Sequence, residues 1–343
     1  MHKLKYVALH ITKNCSHDCS YCYYRGARLP TATDNRANDF PLDTLTAIID
    51  ELCANTVEEV YLLGGDPAEH AQFFDLAQYA HNQGLVVTSV SNTHEYNCDP
   101  LELSKYLSIC ESTIHGDNKD SHDGFCGDSG AYDNVLKKLQ LYHDLGCTTG
   151  ITVNVMPANT SMLFSIIGNI INNYGNVLQY VNLQRIAPNG RACVDDDYYL
   201  KREHMDIAFS QIEKIASEFG IEIQCEDAFP LCLIPKKYWK FIHRCEWGYE
   251  KLSINGDGGV SRCGADPRYN LGNVLKTPLY QIWNESPFLK EFRRKEFLSD
   301  QCKKCKNLNI CGGGCMIGTW TGEEFATDYF LADLRKEATN HRS

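Results

Sequence analysis

Short β-rich runs and amphipathic helical runs alternate six times in the first two thirds of this 343-residue chain. Period-two alternation of apolar residues predicts the strands, and apolar residues three and four apart predict the helices. The predicted strands are Tyr6–Ile11, Val60–Leu63, Val86–Val90, Ile109–Ile114, Ile151–Val155 and Tyr180–Gln184. The predicted helices are Asp43–Asn55, Glu69–Gln83, Leu101–Leu107, Tyr132–Leu145, Ser161–Asn173 and Glu203–Phe219. This order indicates a mostly parallel α/β sheet, because neighbouring parallel strands need a long crossover connection.

Six βα units can form either an open sheet or a barrel with fewer strands than the eightfold version. In both cases the functional groups lie on the loops that follow the carboxyl ends of the strands. The alternation stops near Gly220, and the remainder is rich in Cys, Gly, Lys and Trp. We therefore expect a larger domain over residues 1–220 and a smaller Cys-rich domain over residues 221–343.

Charge and hydropathy exclude two classes of partner. The formal net charge is −11, which disfavours sequence-independent binding to the phosphates of nucleic acids. No apolar run approaches the roughly 18 residues that indicate a membrane span. The first residues lead directly into a strand with no signal-peptide pattern. We expect a cytoplasmic protein that binds neither nucleic acid nor membrane.

The chain contains 17 cysteines, an odd number far above ordinary usage. It is too long for a secreted disulfide scaffold and has no export signal, so clustered cysteines are better explained as metal ligands. Isolated cysteines such as Cys53 and Cys147 are expected in the core, because a thiol packs as a small apolar group. Cys98 and Cys126 lie in predicted loops on the active face and are candidates for a thiol role in catalysis.

The first cysteine cluster follows the first predicted strand with the spacing Cys-x3-Cys-x2-Cys, at Cys15, Cys19 and Cys22. Three thiolates on one loop can hold three corners of a [4Fe–4S] cluster, which normally takes four cysteines. No fourth cysteine is near, since the next is Cys53 on a predicted helix. One iron would then be open, as a catalytic metal requires. The alternative is a zinc site completed by His17.

This loop, with Tyr21 before its third cysteine, resembles the signature of the radical SAM superfamily, which carries it after the first strand of a partial (β/α)6 TIM-type barrel. The resemblance implies a [4Fe–4S] cluster whose open iron binds S-adenosyl-L-methionine (SAM). Gly64-Gly65-Asp66-Pro67 is similar to the family's Gly-Gly-Glu-Pro motif, which binds the SAM amino group, with Asp replacing Glu. The SAM-binding residues implied by the resemblance are Tyr21, Gly64, Gly65, Asp66, Thr113, Asn154 and Arg185. For Asn154 and Arg185, polar strand-end residues that face solvent are the alternative.

The second cysteine group has the pattern Cys-x12-Gly-x4-Cys followed by Cys-x2-Cys-x5-Cys-x3-Cys. It resembles the SPASM extension of peptide-modifying radical SAM enzymes, which usually binds two auxiliary iron–sulfur clusters through seven cysteines. The resemblance implies that Cys245, Cys263 and Cys315 bind auxiliary cluster I and that Cys302, Cys305 and Cys311 bind auxiliary cluster II. A zinc ribbon is the alternative, because Cys-x2-Cys is also a zinc spacing.

Two ligands of this pattern are missing. No cysteine follows Cys315, so the seventh position could be filled by Asp328, by another oxygen or nitrogen ligand, or by a substrate thiolate, or the site could be partly empty. Auxiliary cluster I also lacks an evident fourth ligand, for which Cys232 and Cys225 are the nearest upstream candidates. One or two auxiliary clusters are therefore expected.

The resemblance implies that the enzyme reductively cleaves SAM to a 5′-deoxyadenosyl radical, which abstracts a hydrogen atom from the substrate. The substrate implied is a ribosomally made precursor peptide, modified by crosslinking, thioether formation, epimerisation or backbone excision. One alternative is a radical SAM enzyme that matures a protein side chain or dehydrogenates a small molecule. A non-enzymatic iron–sulfur or zinc scaffold is an alternative of another class.

Further partners follow from the same resemblance. Only about fourteen residues precede Cys15, which leaves no room for an N-terminal winged-helix module. We therefore expect a separate peptide-recognition protein, or direct binding of a leader peptide by the barrel. A flavodoxin or ferredoxin is expected to donate the electron.

Overall fold

The computed structural model describes residues 2–24, 39–92, 96–186, 189–194, 196–317 and 328. All six predicted strands are present and pair in parallel in chain order. They are β1 (Tyr6–Thr12), β2 (Glu59–Gly64), β3 (Val86–Ser91), β4 (Ile109–Thr113), β5 (Thr148–Val155) and β6 (Tyr180–Arg185). The predicted partial barrel of βα units is therefore confirmed.

Four further strands extend this sheet. At one edge, β7 (Glu222–Cys225) pairs in parallel with β6. At the other, β8 (Lys251–Asn255) pairs in parallel with β1, and β9 (Gly259–Cys263) and β10 (Asp266–Asn273) follow as antiparallel strands. The strand order is β10-β9-β8-β1-β2-β3-β4-β5-β6-β7. Both sides of residue 220 thus contribute to one sheet, and the division of the chain at that residue stays a prediction.

Eleven α-helical segments occur in the described residues. They are α1 (Leu42–Ala54), α2 (Phe73–Asn82), α3 (Pro100–Leu103), α4 (Lys119–Cys126), α5 (Ala131–Asp144), α6 (Leu163–Tyr174), α7 (Arg202–Phe219), α8 (Leu279–Glu285), α9 (Pro287–Arg294), α10 (Asp300–Lys303) and α11 (Leu308–Cys311). Helix α4 was not predicted, because its sequence is mostly polar and lacks an apolar period. Among these segments none is both long and apolar enough to cross a membrane.

The helices cover the sheet with apolar stripes. On α1, Leu45, Ile48, Ile49 and Leu52 are spaced three, four and seven residues apart and are fully buried. They belong to the same apolar cluster as Leu9 of β1. Each such side chain contributes about 1.5–3 kcal/mol when it leaves water, so this stripe fixes the helix against the sheet.

The interior of the barrel carries a buried carboxyl group. Glu111 on β4 accepts hydrogen bonds from Thr152 Oγ1 on β5 at 2.5 Å and from Tyr180 Oη on β6 at 2.8 Å. Asn182 Nδ2 donates a third at 3.2 Å. Burial, followed by the nearby Glu226 carboxyl, raises the pKa of Glu111 to about 7. The protonated form is therefore the one that the fold favours.

The loop that follows β1 lies directly against the end of β2. The amide of Gly65 donates to Thr12 O at 2.9 Å, and the amide of Asp66 donates to Asn14 O at 2.7 Å. A Cβ atom on Gly65 would lie 2.1 Å from Asn14 O and 2.9 Å from the Cβ atom of Cys15. Glycine is required here because backbone occupies the space that a side chain would need.

Substitution of Gly65 by alanine is expected to displace the loop that carries Cys15. The added methyl group overlaps backbone atoms, so we expect a loss of about 1–3 kcal/mol in the free energy of unfolding and a lower iron content. Gly124→Ala is the matched control, because nothing lies within 4 Å of its added Cβ atom. Equal melting temperatures and equal iron contents for the two variants would contradict this packing argument.

Glu111→Gln tests the buried carboxyl group. A rise in the pKa of Glu111 from 4.5 to about 7 corresponds to about 3 kcal/mol. The stability associated with the protonated form is complete below pH 4.5 and is lost as the pH rises through 7. Glutamine mimics the protonated form, so the melting temperature of the unsubstituted protein should fall relative to that of the variant between pH 5 and 8. Parallel melting curves across this range would refute the raised pKa.

Candidate functional site

One cavity of about 270 Å³ lies at the carboxyl ends of the barrel strands. Cys19 and Cys22 of the first cysteine cluster line it, together with three cysteines of the second group: Cys245, Cys263 and Cys315. Of the predicted SAM-binding residues, the lining includes Tyr21, Gly64, Gly65, Asn154 and Arg185. Residues more than 200 positions apart in the chain therefore surround one space.

The first cysteine loop is held by the neighbouring strand ends. Cys15 is buried, and Asn92 Nδ2 donates to its Sγ atom at 3.6 Å. Thr113 Oγ1, at the end of β4, donates to Asn92 Oδ1 at 3.0 Å. Thr113 thus reaches the cysteine loop through Asn92, a residue that the sequence analysis did not assign. Its position directly after β3 was the signal that could have identified it.

The thiol of Cys19 lies close to the side chains of His17 and Cys126. The ligand atoms of His17, Cys19 and Cys126 all lie within 4.8 Å of one another. A hydrogen bond with Cys126 lowers the pKa of Cys19 to about 5, despite burial, and His17 adds to this effect. Since the thiolate is the form that binds metal, Cys19 is well suited to hold iron. His17 is close to this thiol, but the third member of the group is Cys126 and not Cys15 or Cys22.

Asp66 presents an unsatisfied buried oxygen beside this loop. Its Oδ1 atom accepts from Ala68 N at 3.0 Å and from Ser91 Oγ at 2.7 Å. Its Oδ2 atom is buried and has no hydrogen-bond partner within the described part of the chain. A buried carboxylate oxygen is costly unless it is paired. Asp66 therefore fits a cationic ligand group, such as the amino group of SAM.

The remaining predicted SAM residues differ in what they contact. Tyr21 is buried and packs edge-on against His115, with ring centroids 4.9 Å apart. The backbone amide of Asn154 donates to His115 Nδ1 at 3.2 Å. Arg185 is buried rather than solvent-facing, which corrects the solvent-facing alternative for this residue. A SAM contact by each of these residues stays a prediction.

The side chain of Arg185 contacts residues on the side of the cavity that carries Cys315. Its guanidinium group is paired with the fully buried Asp328 and donates to Ala228 O at 2.7 Å. Asp328 Oδ2 also accepts from the amide of Cys315 at 2.7 Å. Both carboxylate oxygens of Asp328 are thus engaged next to Cys315, which places this residue with the cysteines expected for auxiliary cluster I.

Arg262 is a buried cation close to those cysteines. Burial raises the pKa of the Cys245 and Cys315 thiols, to about 12 for Cys315. The guanidinium of Arg262 opposes the effect at Cys245, and its own Nη2 atom lies 3.4 Å from Asp266 Oδ2. A buried positive charge beside several thiols compensates the charge of thiolate ligands. The group therefore fits an anionic iron–sulfur cluster.

The other three cysteines of the second group lie on α10, α11 and the turn between them. Cys302 and Cys311 are half-buried, and Cys305 is exposed. The amide of Cys305 donates to Cys302 O at 3.0 Å, which folds the Cys-x2-Cys segment into a turn. Of the two upstream candidates, Cys225 is buried on β7, whereas Cys232 is exposed on the turn Leu231–Leu233.

Two family models match this chain. The model for the radical SAM superfamily matches residues 9–161, and the model for the SPASM iron–sulfur cluster-binding domain matches residues 245–306. The first range contains Cys15, Cys19 and Cys22, and the second begins at Cys245. Both resemblances stated from the sequence are confirmed.

Curated relatives cover nearly the whole chain. An AdoMet-dependent heme synthase of Nitratidesulfovibrio vulgaris is 24% identical over 327 residues, which are 90% of this chain and 86% of the relative. A PqqA peptide cyclase of Ruegeria pomeroyi is 24% identical over 333 residues, with coverage of 93% and 84%. The names of the two relatives indicate different classes of substrate, so these matches do not identify the substrate of this chain.

The solved structures agree on the fold. Streptococcus suis SuiB bound to its precursor peptide SuiA superposes with a TM-score of 0.75 at 15% identity. The match covers 95% of this chain and 75% of SuiB. With both family models and this fold, the chain is an enzyme of the radical SAM superfamily with a C-terminal SPASM domain, and its cofactors are SAM, a [4Fe–4S] cluster and one or two auxiliary iron–sulfur clusters.

Proposed function

We propose that this enzyme abstracts a hydrogen atom from a residue of a ribosomally made precursor peptide and so starts its crosslinking, thioether formation, epimerisation or backbone excision. The observation that carries the proposal is the shared cavity. Cys19 and Cys22 line one part of it, and Cys245, Cys263 and Cys315 line another. A substrate bound there lies between the site that generates the radical and a site suited to accept the second electron.

The residues of the barrel have distinct proposed roles. Cys15, Cys19 and Cys22 hold the [4Fe–4S] cluster, and Asp66 Oδ2 receives the amino group of SAM. Gly64 and Gly65 keep the end of β2 close to the cysteine loop and leave the cavity open. When bound, SAM and the cluster supply the 5′-deoxyadenosyl radical, and the buried walls exclude water from it.

The charges around the cavity support a peptide over a polycarboxylate substrate. The charged lining residues are Glu111, Glu226, Asp227, Arg185, Arg262 and Lys251. Burial raises the pKa of Glu111 to about 7 and that of Asp227 to about 6, so the site already disfavours negative charge. Arg185 is paired with Asp328, and Arg262 lies beside Asp266. Lys251, whose Nζ atom lies 3.9 Å from the centre of the Tyr61 ring, is the remaining cation of these lining residues. Additional substrate carboxylates would therefore meet the lining carboxyl groups with one cation to compensate them.

A tetrapyrrole is the second candidate substrate. The observation that favours it is the match to an AdoMet-dependent heme synthase over 90% of this chain. The PqqA peptide cyclase matches a similar share of the chain, and SuiB was solved with its precursor peptide. Our preference for the peptide rests on the raised pKa values of Glu111 and Asp227 and on the pairing of Arg185 and Arg262 with carboxylates.

The proposal includes an electron donor and a means of binding the leader segment of the precursor. A flavodoxin or ferredoxin would deliver the electron that starts each turnover. Either a separate recognition protein or the barrel itself would bind the leader segment of the precursor. Both partners belong to the proposal and rest on the family resemblance.

Replacement of Cys22 by alanine is expected to abolish SAM cleavage. Loss of one of three ligands should lower 5′-deoxyadenosine formation under dithionite by about 100-fold or more, while the iron of the auxiliary sites remains. Cys53→Ala is the control, because Cys53 is half-buried on α1, outside the cavity lining. Undiminished 5′-deoxyadenosine formation by the Cys22 variant would falsify the proposed reaction.

The substrate class is tested by two parallel incubations, one with a peptide and one with a porphyrin. The anaerobic enzyme is incubated with SAM, reductant and the peptide encoded by a neighbouring short open reading frame, and in parallel with Fe-coproporphyrin III. We expect a changed peptide mass or, for epimerisation, a deuterium retained in the peptide after reaction in D2O. The porphyrin should be recovered intact, because the lining carboxyl groups disfavour the porphyrin carboxylates. Mass spectrometry that finds a changed porphyrin mass and unmodified peptide would assign the tetrapyrrole reaction instead.

A further inference from the structure

The second auxiliary group is one thiolate short in the C-terminal part of the chain. Cys302, Cys305 and Cys311 form the Cys-x2-Cys-x5-Cys run, and no cysteine follows Cys315. An iron–sulfur cluster normally takes four cysteines. Asp328 was one candidate for the missing corner, but its two oxygens are bonded to Arg185 and to the amide of Cys315. The missing ligand is therefore better sought elsewhere.

The segment that precedes the SPASM cysteines packs directly on Cys311. The amide of Leu231 donates to Cys311 Sγ at 3.4 Å, and the same sulfur lies 3.9 Å from Phe229 O. Cys311 and Leu233 both pack against the apolar cluster that contains Leu231. Leu231, the residue before Cys232, thus contacts the sulfur of Cys311 at the end of α11.

Cys232 follows Leu231 directly in the chain, so its backbone begins next to the amide that contacts Cys311 Sγ. In agreement with this position, partial burial raises the pKa of the Cys232 thiol, and the nearby thiols of Cys311, Cys302 and Cys305 add to the rise. The side chain is exposed, so it does not serve as core packing. It lies on a short helical turn, Leu231–Leu233, with Pro230 before it. Because proline fixes its own backbone angle, this turn is held in place before any metal binds.

Cys225, the other upstream cysteine, has a different environment. It lies at the end of β7, only 2% exposed, within the apolar cluster of the second half of the barrel. Its pKa is raised to about 12 by burial, and Asp227 and Arg185 are its charged neighbours. Cys225 is thus explained as a core residue, whereas Cys232 is not.

We propose that Cys232 is the fourth thiolate ligand of auxiliary cluster II, with Cys302, Cys305 and Cys311. The seventh SPASM cysteine would then come from before the domain rather than from its end. A cluster held by four cysteines has no open position for substrate. Auxiliary cluster II would therefore transfer electrons, and the cavity-lining group of Cys245, Cys263 and Cys315 would be the one that meets the substrate. The proposal rests on the cofactors of the family and not on the peptide substrate.

Four single or double variants test this ligand set. Cys232→Ala, Cys305→Ala, the double variant and the control Cys53→Ala are purified anaerobically, and their iron, sulfide and reduced-state EPR spectra are measured. We expect Cys232→Ala and Cys305→Ala to lose the same EPR signal and the same amount of iron. The double variant should lose no more than either single variant, and Cys53→Ala should match the unsubstituted protein. Unchanged iron and EPR spectra for Cys232→Ala would overturn the proposal, whatever the result for Cys305→Ala.

Alkylation of the unsubstituted enzyme gives a second readout that does not depend on the folding of any variant. The native, iron-replete protein is treated with iodoacetamide before and after chelation of its iron, and the modified cysteines are identified by mass spectrometry. Cys232 is exposed, so only ligation to iron should protect it. We expect protection before chelation and modification after it, with unchanged modification of Cys53. Equal modification of Cys232 in both states would exclude it as a ligand. Neither experiment requires substrate or turnover, so failure of the peptide proposal would leave this result unaffected.

Discussion

The contact between two backbone segments, the loop after β1 and the end of β2, determines the rest of the site. Gly65 and Asp66 donate to the carbonyl groups of Thr12 and Asn14 at 2.9 Å and 2.7 Å. These bonds leave no room for a side chain at Gly65, and they place the Asp66 carboxylate beside the Cys15 loop. A thiol cluster on one strand end and a ligand-binding carboxylate on the next can act together only when their backbones approach this closely.

Periodicity and spacing were sufficient to predict the six βα units and to group the cysteines. Each strand is apolar and flanked by an amphipathic helix, so local sequence carries the signal. The other elements of the fold have a weaker local sequence pattern. Strand β7 has four residues, and α4 is polar along most of its length. Strand β8 pairs in parallel with β1, a partner about 240 positions earlier, and no local pattern specifies such a partner.

The parts of the candidate site that the sequence did not reveal are contacts between residues far apart in the chain. Asn92 reaches Cys15, Cys126 reaches Cys19, and Leu231 reaches Cys311. None of these pairs has a characteristic spacing, because the strand order of the sheet brings them together. Spacing identified the Cys-x3-Cys-x2-Cys loop because its three cysteines lie within eight residues. A ligand such as Cys232, which comes from a separate turn, leaves no such signature.

The pair of Arg185 and Asp328 connects the two halves of the cavity. Arg185 ends β6 of the barrel, and Asp328 binds the amide of Cys315 in the auxiliary group. Removing either member would leave the other charge buried and unpaired, which is strongly destabilising. This ion pair therefore holds the auxiliary cysteines in a fixed position relative to the barrel. In the proposed reaction an electron passes from the substrate radical to the auxiliary site, and the ion pair would keep the distance between the barrel cysteines and the auxiliary cysteines constant.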